Sequence, residues 1–421
     1  MKKILIAATS LILLLLLAVY GLFRYRQYSS YKNRVHQHAS LIFKINIDEI
    51  VKKRGLSSIK SDTRGFGVPA NIFVYTVSNK SAHTFFCSLP VTDTSELKQY
   101  LIRTFKINHF EKNGQGIVWG NNADQRLKVA YNAENVAISY SLTKENVNDV
   151  LNELLEKKSF LAVTDPRIEQ LKEKDAPVVY NYKTYSGQAS FTDHSFTLKG
   201  TFPLEGLNVP DQSYCPADLA KGLSINAWIN ADLKGLLKED IHFKNYALKK
   251  DTLLKYYHGY AAIESGNLIN QYQPVVTYEY NDEFEKVERI QQKEVKVPDI
   301  TLSFKGNAPA LLSYLQKQAV ISPDEELNKD LFPLYEVYSN NNTGLLQLST
   351  SEERILSHNQ AASPYFLFTE IDFDKIRKQN QFPLLNNCIG YFSKLEIKGT
   401  KKDAKTGKIE LELKFNKDLK L

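Results

Sequence analysis

The sequence predicts an α+β protein in which an N-terminal transmembrane helix precedes two similar halves, each a mostly antiparallel sheet with packed helices. Three observations predict this: a twenty-residue apolar run at 4–23, strand-like alternations that lead into helix starts, and the return of this order of elements later in the chain. The 421 residues are enough for two large cores. With 43% hydrophobic and 24% charged residues, the composition excludes a disordered chain and a polytopic membrane protein.

The N-terminal run predicts a signal anchor. No charged residue lies between Ile4 and Phe23, and a helix of twenty residues is about 30 Å long, the thickness of a bilayer's hydrocarbon core. A cleaved signal peptide is the alternative, but its apolar core usually has only about 7 to 15 residues. Tyr20 also disfavours a small-residue cleavage site. We therefore expect a short tail at 1–3 and an uncleaved anchor at 4–23.

The N-terminal segment is basic, whereas the rest of the chain is nearly neutral. Residues 1–38 hold six bases and no acid, which leaves 54 − 6 = 48 bases against 47 acids in the rest. A neutral body lacks the basic excess of a nucleic-acid-binding protein. The polar segment 24–38 is expected to be a juxtamembrane stalk near anionic head groups, or a solvated linker. Because long C-terminal domains are translocated largely regardless of flanking charge, we expect an extracytoplasmic, periplasmic body.

Three segments of the body share a strand followed by a helix start, at 39–53, 222–239 and 363–379. Each strand ends in Ile, Asn or Asp, any residue, and Asp; these final residues, Asp48, Asp232 and Asp374, are expected to cap the following helices. Calcium ligation by these carboxylates is the alternative, but they are scattered and lack the glycine turn of a calcium loop. The recurrence predicts a first α+β repeat at 39–206, a linker at 207–221 and a second repeat at 222–421.

Other helix starts follow capping rules. Asp93 with Glu96 three residues later predicts a capped helix, and Thr143 is expected to cap the next one. Proline at the first helical position predicts helices after Asp165 and after Ser322. Hairpins with Asn-rich turns fill the space between them, and each half is expected to close on a strand pair.

No motif in the sequence indicates an active site. The Walker A loop, the dinucleotide-binding glycine pattern, the G-x-S-x-G turn and H-E-x-x-H are all absent. We therefore predict no catalytic, cofactor-binding or metal-binding residues and no cofactor. His36 and His38 are expected to be solvated, and the adjacent acids Asp282–Glu283 and Glu325–Glu326 are expected to face solvent.

The three cysteines lie far apart and show no C-x-x-C spacing. Cys87, Cys215 and Cys388 are expected to be mostly buried, unreactive thiols, with one long-range disulfide left open as an alternative.

The N-terminal anchor, the long body rich in Lys, Asn and Tyr, and the Ile-Asn-x-Asp-type strand ends resemble uncharacterised single-anchor envelope proteins of Gram-negative bacteria. This resemblance implies an extracytoplasmic setting and a non-enzymatic role. The first hypothesis is a non-catalytic scaffold or accessory subunit of an envelope assembly, held in the membrane by residues 4–23 and bound to an envelope protein partner. The alternatives are a carrier or sensor of a lipid or other apolar ligand and a hydrolase with an unrecognised site.

Overall fold

A computed structural model describes residues 20–22, 24–32, 34–54, 64–114, 116–216, 222–280, 284–342, 344–352 and 360–416. The chain divides into two compact units, Met1–Thr192 and Asp193–Leu421. Within the described ranges, no helix is both long and apolar enough to cross a membrane. The anchor expected at 4–23 lies outside the described residues except for residues 20–22, which are helical. The predicted boundaries at 206 and 222 stay predictions.

The first unit is an antiparallel sheet with helices. Its strands, where described, lie in the order β4-β5-β6-β7-β3-β2-β1-β8-β9. Their bounds are β1 Ala39–Asn46, β2 Asn71–Val77, β3 Thr84–Pro90, β4 His109–Lys112, β5 Val118–Asn121, β6 Leu127–Tyr131, β7 Asn135–Ser141, β8 Val178–Tyr182 and β9 Tyr185–Phe191. The helices are α1 Ile47–Arg54, α2 Thr94–Phe105, α3 Asn148–Leu155 and α4 Pro166–Lys172.

Helices cover both faces of the first unit's sheet. Neighbouring residues on a strand point to opposite faces, and Val136 and Ala137 of β7 belong to two different buried clusters. The Val136 cluster includes Leu97 and Leu101 of α2, whereas the Ala137 cluster includes α3 and α4. Burying a leucine side chain contributes about 1.5–3 kcal/mol. The apolar stripe of α3 and of the residue before it is buried throughout: Val147, Val150, Leu151, Leu154 and Leu155.

Part of the segment 24–38 packs onto the first unit. Residues 24–29 are helical, and Arg26 forms an ion pair with Asp48. The ring of Tyr31 contacts that of Phe73 with centroids 5.6 Å apart. His36 is buried, so the expectation that it is solvated is wrong. The part of the segment around Tyr31 and Val35 therefore packs into the apolar core of the first unit.

The second unit is also an antiparallel sheet, with the strand order β10-β22-β21-β20-β12-β15-β16-β18-β17 among the residues described. Two short strand pairs, β11–β19 and β13–β14, lie outside it. The bounds are β10 Ser195–Pro203, β11 Ser213–Pro216, β12 Ile225–Asn230, β13 Ile241–Phe243, β14 Tyr246–Leu248, β15 Tyr257–Tyr280, β16 Lys286–Gly306, β17 Tyr338–Asn342, β18 Leu345–Ser349, β19 Gln360–Ser363, β20 Leu367–Asp372, β21 Phe392–Lys401 and β22 Thr406–Phe415. The helices are α5 Lys250–Tyr256, α6 Ala308–Lys317, α7 Phe373–Gln379 and α8 Asn386–Ile389, with a 3-10 turn at Pro383–Leu385.

The α+β class with antiparallel sheets and packed helices is therefore confirmed. The two units also share a strand order. The first unit contains β6-β7-β3-β2-β1-β8-β9, and the second contains β17-β18-β16-β15-β12-β20-β21, with each set in the same relative chain order. Helix α2 follows β3, and α6 follows β16, the corresponding strand.

The helix caps differ from those expected. Asn46 and Asp372, each two residues before the expected cap, accept the first-turn N–H groups, at 3.1 and 2.8 Å. No helix follows Asp232, whose carboxylate instead accepts the N–H of Lys234 in a turn. The helix continues directly from the strand, so the side chain at the last strand position is the one that reaches the free N–H groups.

Two other predictions of helix starts are wrong, and two are confirmed. Thr143 does not cap α3, which begins five residues later at Asn148, and Ser322–Pro323 forms a turn in which Ser322 bonds Glu326. Asp93 and Asp165 cap α2 and α4 as expected, each accepting a first-turn N–H.

Candidate functional site

The central hairpin of the second unit is much longer than the strands beside it. Strand β15 pairs with β12 only at 225–230, and β16 pairs with β18 only at 345–349. Residues 268–280 and 286–298 pair with each other and with no other described strand. At about 3.3 Å per residue, this two-stranded ribbon extends roughly 40 Å beyond the sheet of the second unit. We call it the ribbon arm.

Along β15, one face of the ribbon arm carries an exposed row of apolar side chains, and β16 adds Ile290 and otherwise charged or polar residues to that face. The residues at 272, 274, 276, 278 and 280 alternate along β15 and share a face with residue 290 of β16, which lies opposite residue 276. Tyr280 and Ile290 are 72% and 73% exposed, and Phe284 at the tip is 87% exposed. The other large exposed members of the face are Tyr272, Val276 and Tyr278. Single exposed apolar residues are ordinary, but a continuous stripe of them marks an interaction surface.

The base of the ribbon arm is held by Gln271, which is 5% exposed. Its amide donates to the carbonyls of Glu336 and Thr350 at 2.7 and 2.6 Å, and its oxygen accepts the Glu336 N–H at 3.1 Å. A two-stranded hairpin is at best marginally stable in water by itself. These bonds therefore fix the start of the arm to the body of the second unit.

The distal part of the arm is acidic. Residues 279–288 contain five acids and one base, Lys286. The ammonium group of Lys286 lies 4.1 Å from the centre of the Tyr278 ring, and Glu279 forms an ion pair with Arg289 at 2.9 Å. The tip thus combines tyrosine and phenylalanine rings with net negative charge, which suits a surface that is both apolar and basic.

In the described part of the chain, no group of three His, Cys, Asp or Glu side chains is placed to hold a metal ion. His36 lies beside Glu153, with 2.6 Å between ring nitrogen and carboxylate, and its ring centre is 5.5 Å from that of His38. The His36 ring and the Glu153 carboxylate are thus hydrogen-bond partners within the first unit.

Of the two acid pairs named from the sequence, Glu325–Glu326 lies in the described part of the chain. Asp282 and Glu283 lie outside the described residues. Glu325 and Glu326 lie in the turn before β17, where their backbone groups bond Ser339 and Ser322.

The three cysteines are free thiols in different environments. Cys215 is buried and Cys87 is half-buried, with burial raising the pKa of the Cys87 thiol to about 12. Cys388 is exposed, so the expectation of mostly buried thiols is wrong at that position.

Each unit has an open cleft among its described residues. One of about 400 Å³ lies beside β11 in the second unit, where Lys401 and Asp211 form an ion pair at 2.7 Å on its wall. The other, of about 470 Å³, lies at the start of α2 in the first unit. Both walls are partly polar, unlike those of a cavity for a lipid chain.

The ribbon arm was not predicted from the sequence. The signal was present, because apolar residues at every second position from 272 to 280 precede the turn-forming pair Asn281–Asp282. Alternation, however, predicts only that a strand has one apolar face. It does not show whether anything covers that face.

No family model and no curated protein matches the sequence. Solved structures of TP0453 from Treponema pallidum show a distant likeness: crystal form III at 10% identity and a TM-score of 0.25, covering 75% of this chain and 90% of that chain, and crystal form I at 10% and 0.23, covering 74% and 88%. Crystal form IV is similar at 9% identity and a TM-score of 0.23. Conclusions about this chain rest on its own residues, because such scores carry no argument about fold or function.

Proposed function

We propose that this chain is a membrane-anchored, extracytoplasmic scaffold or accessory subunit without catalytic activity, and that it binds a protein partner through the ribbon arm. The observation that carries the proposal is the exposed apolar face of an arm whose base is fixed by Gln271. An apolar surface presented on a preorganised element loses less conformational freedom on binding than a disordered segment.

The setting follows from the sequence. The charge-free run at 4–23 supports a single-pass anchor, and the long neutral body after it supports an extracytoplasmic, periplasmic location. Residues 34–38 pack on the first unit, so the stretch that leads out of the anchor reaches a folded body after a short distance.

The partner's chemistry follows from the tip of the arm. Five acids within 279–288 disfavour an anionic membrane surface, which attracts basic segments. Tyrosine and phenylalanine side chains are enriched in protein interfaces. The occupant we propose is a protein with an apolar groove that receives Tyr278, Tyr280 and Ile290 and a basic rim that faces the acidic tip.

The shared strand order supports a duplicated body. Seven strands in each unit follow one order, and a helix occurs after the corresponding strand in both. In the first unit, the strands that correspond to β15 and β16 are β2 and β3, which have seven residues each, against 24 and 21. An extension in one copy only supports a specific role for the second unit.

The test is photo-crosslinking in intact cells with full-length protein. A benzophenone amino acid at Tyr280 should crosslink to one protein, and the same group at Tyr140, an exposed tyrosine of β7 in the first unit, should not. Purification in a mild detergent should recover that protein in a fixed ratio to the chain.

A second variant separates the arm from the rest of the surface. The combined change Tyr278→Ser, Tyr280→Ser and Ile290→Ser should abolish recovery of the crosslinked protein. The melting temperature of the chain should not change. The matched control changes three exposed tyrosines of the first unit, Tyr140→Ser, Tyr182→Ser and Tyr185→Ser. Equal recovery with both triple variants would contradict the assignment, and crosslinks to lipid alone would favour the carrier hypothesis.

A further inference from the structure

The second unit carries another exposed apolar surface, on the hairpin of β13 and β14. Ile241 and Phe243 lie two residues apart on β13, so their side chains share a face, and they are 43% and 53% exposed. Leu248 lies opposite Ile241 and packs on the buried cluster that contains the α6 leucines. We call the exposed pair, Ile241 and Phe243, the hairpin patch.

The hairpin is held on the body of the second unit. The ammonium group of Lys244 donates to the carbonyl of Asp330. The backbone N–H of Lys249 donates to the hydroxyl of Tyr314, which belongs to α6, at 2.7 Å. Helix α5 follows the hairpin and contacts α6. The patch is therefore presented by a fixed element, as the ribbon arm is.

The surroundings of the hairpin patch are basic. Residues 234–255 contain six lysines and three acids. Asp240 pairs with Lys249 at 2.8 Å, and Asp251 with Lys250 at 3.9 Å. The other four lysines of this stretch form no ion pair with a described residue: Lys234, Lys238, Lys244 and Lys255.

The distal part of the ribbon arm has the opposite charge. Residues 279–289 hold five acids and two bases, a net charge of −3, whereas residues 234–255 carry +3. Each surface also presents exposed apolar side chains, with Tyr280 and Ile290 on the arm and Ile241 and Phe243 on the patch. Apolar side chains at the centre and opposite charges around them are the features of complementary protein surfaces.

The arm and the patch of one chain cannot meet. Helix α5 ends at Tyr256, so the hairpin leads into the end of β15 that lies opposite the arm. Tyr280 lies 23 residues beyond Tyr257 on this strand, roughly 70 Å away at about 3.3 Å per residue. The segment from Phe243 to Tyr257 includes a helix and spans at most about 35 Å. The arm therefore needs a patch on another chain.

We propose that the partner of the ribbon arm is a second copy of this chain, whose hairpin patch receives the arm. The inference rests on the proposed function, because it names the protein that the arm binds. Tyr280 and Ile290 of one copy contact Ile241 and Phe243 of the next, and the acidic tip faces the lysines around the patch. Since the two surfaces differ, the copies associate head to tail, in a closed ring or an open chain.

Sedimentation velocity of the purified full-length protein in a non-ionic detergent tests this arrangement. The wild type should associate as its concentration rises. An arm variant, Tyr278→Ser with Tyr280→Ser and Ile290→Ser, should stay monomeric at concentrations at which more than half of the wild type is associated. A patch variant, Ile241→Ser with Phe243→Ser, should do the same.

An equimolar mixture of the two variants gives the decisive measurement. The intact arm of the patch variant fits the intact patch of the arm variant, so the mixture should form a dimer and no larger species. The matched control, Tyr182→Ser with Tyr185→Ser, changes two exposed tyrosines of the β8–β9 hairpin and should associate as the wild type does. A mixture that stays monomeric, or a patch variant that associates like the wild type, would overturn the inference.

Photo-crosslinking separates this outcome from a failure of the proposed function. In the purified protein, a benzophenone at Tyr280 should give a product with the mass of two chains, joined within residues 234–255. A crosslink in cells to a different protein, together with a monomeric purified wild type, would refute self-association and leave the proposed function standing. Absence of any protein crosslink in both preparations would refute both.

Discussion

Gln271 and Lys44 are buried polar side chains whose hydrogen bonds contribute to stability. Gln271 makes three hydrogen bonds from a buried position. Lys44 is 1% exposed, and its ammonium group donates to the carbonyl of Lys174 at 2.6 Å. In both cases a polar group is buried with few partners, so the loss of one contact has a measurable cost.

Gln271→Ala is expected to lower the free energy of unfolding by about 2 kcal/mol, because two carbonyls and one N–H lose their partner. Urea denaturation measures the change. Gln273→Ala, two residues along the same strand and without a hydrogen bond to another described side chain, should change stability by less than about 0.5 kcal/mol. Similar losses in the two variants would show that Gln271 does not fix the arm's base.

Lys44 predicts a pH dependence. Burial lowers its pKa from 10.5 to about 8, with Asp175 opposing the shift. Between these values the unfolded chain carries a proton on this lysine and the folded chain does not, so its contribution to stability rises as pH rises from about 8 to 10.5. Below about 8 the contribution is constant.

Denaturation of the wild type and of Lys44→Met across this range isolates the effect. Other buried groups titrate nearby, since burial raises the pKa values of Tyr31 and Cys87 to about 12, and they act in the opposite direction. They are common to both proteins, so the stability difference between the two should change in favour of the wild type by up to about 3 kcal/mol. A constant difference would refute the role of Lys44.

At the scale of elements, the start of α7 distinguishes two acids two residues apart. Asp372 ends β20 and accepts the Lys375 N–H, whereas Asp374 lies in the first turn and pairs with Arg377. A cap satisfies a backbone group that has no other partner, while a partly exposed ion pair is weakened by solvent.

Asp372→Ala is therefore expected to cost about 1 kcal/mol, and Asp374→Ala less than about 0.5 kcal/mol. Thermal melting of the two variants gives the comparison directly. If Asp374→Ala lowered stability more than Asp372→Ala, Asp374 would be the capping residue, as the Ile-x-x-Asp pattern predicts.

At the level of the whole molecule, labelling of the exposed Cys388 thiol shows on which side of the membrane the body lies. A membrane-impermeant maleimide should label it in intact cells whose outer barrier has been opened, if the body is extracytoplasmic. Cys87 should react slowly, because a thiol with a pKa of about 12 holds little thiolate at neutral pH.

The control is Cys388→Ser, which should lose most of the rapid labelling. Labelling of the wild type only after the inner membrane is lysed would place the body on the other side and would remove the periplasmic setting from the proposed function.

Much of the local structure can be predicted from the amino-acid sequence alone. Antiparallel strands with one apolar face, the caps at Asp93 and Asp165 and the buried stripe of α3 all depend on residues close in the chain, so periodicity and capping chemistry predict them.

Which apolar faces are covered, and which polar groups contact each other, depends on how distant segments pack in the folded chain. The stripe that contains Tyr278 and Tyr280 reads like any half-buried strand, but its neighbours in the sheet end before it does. Lys98, Lys112 and Tyr131 line one cleft of the first unit although they come from a helix and two strands. Burial and proximity are set by which distant segments pack together, and that information is not carried by any short stretch of sequence.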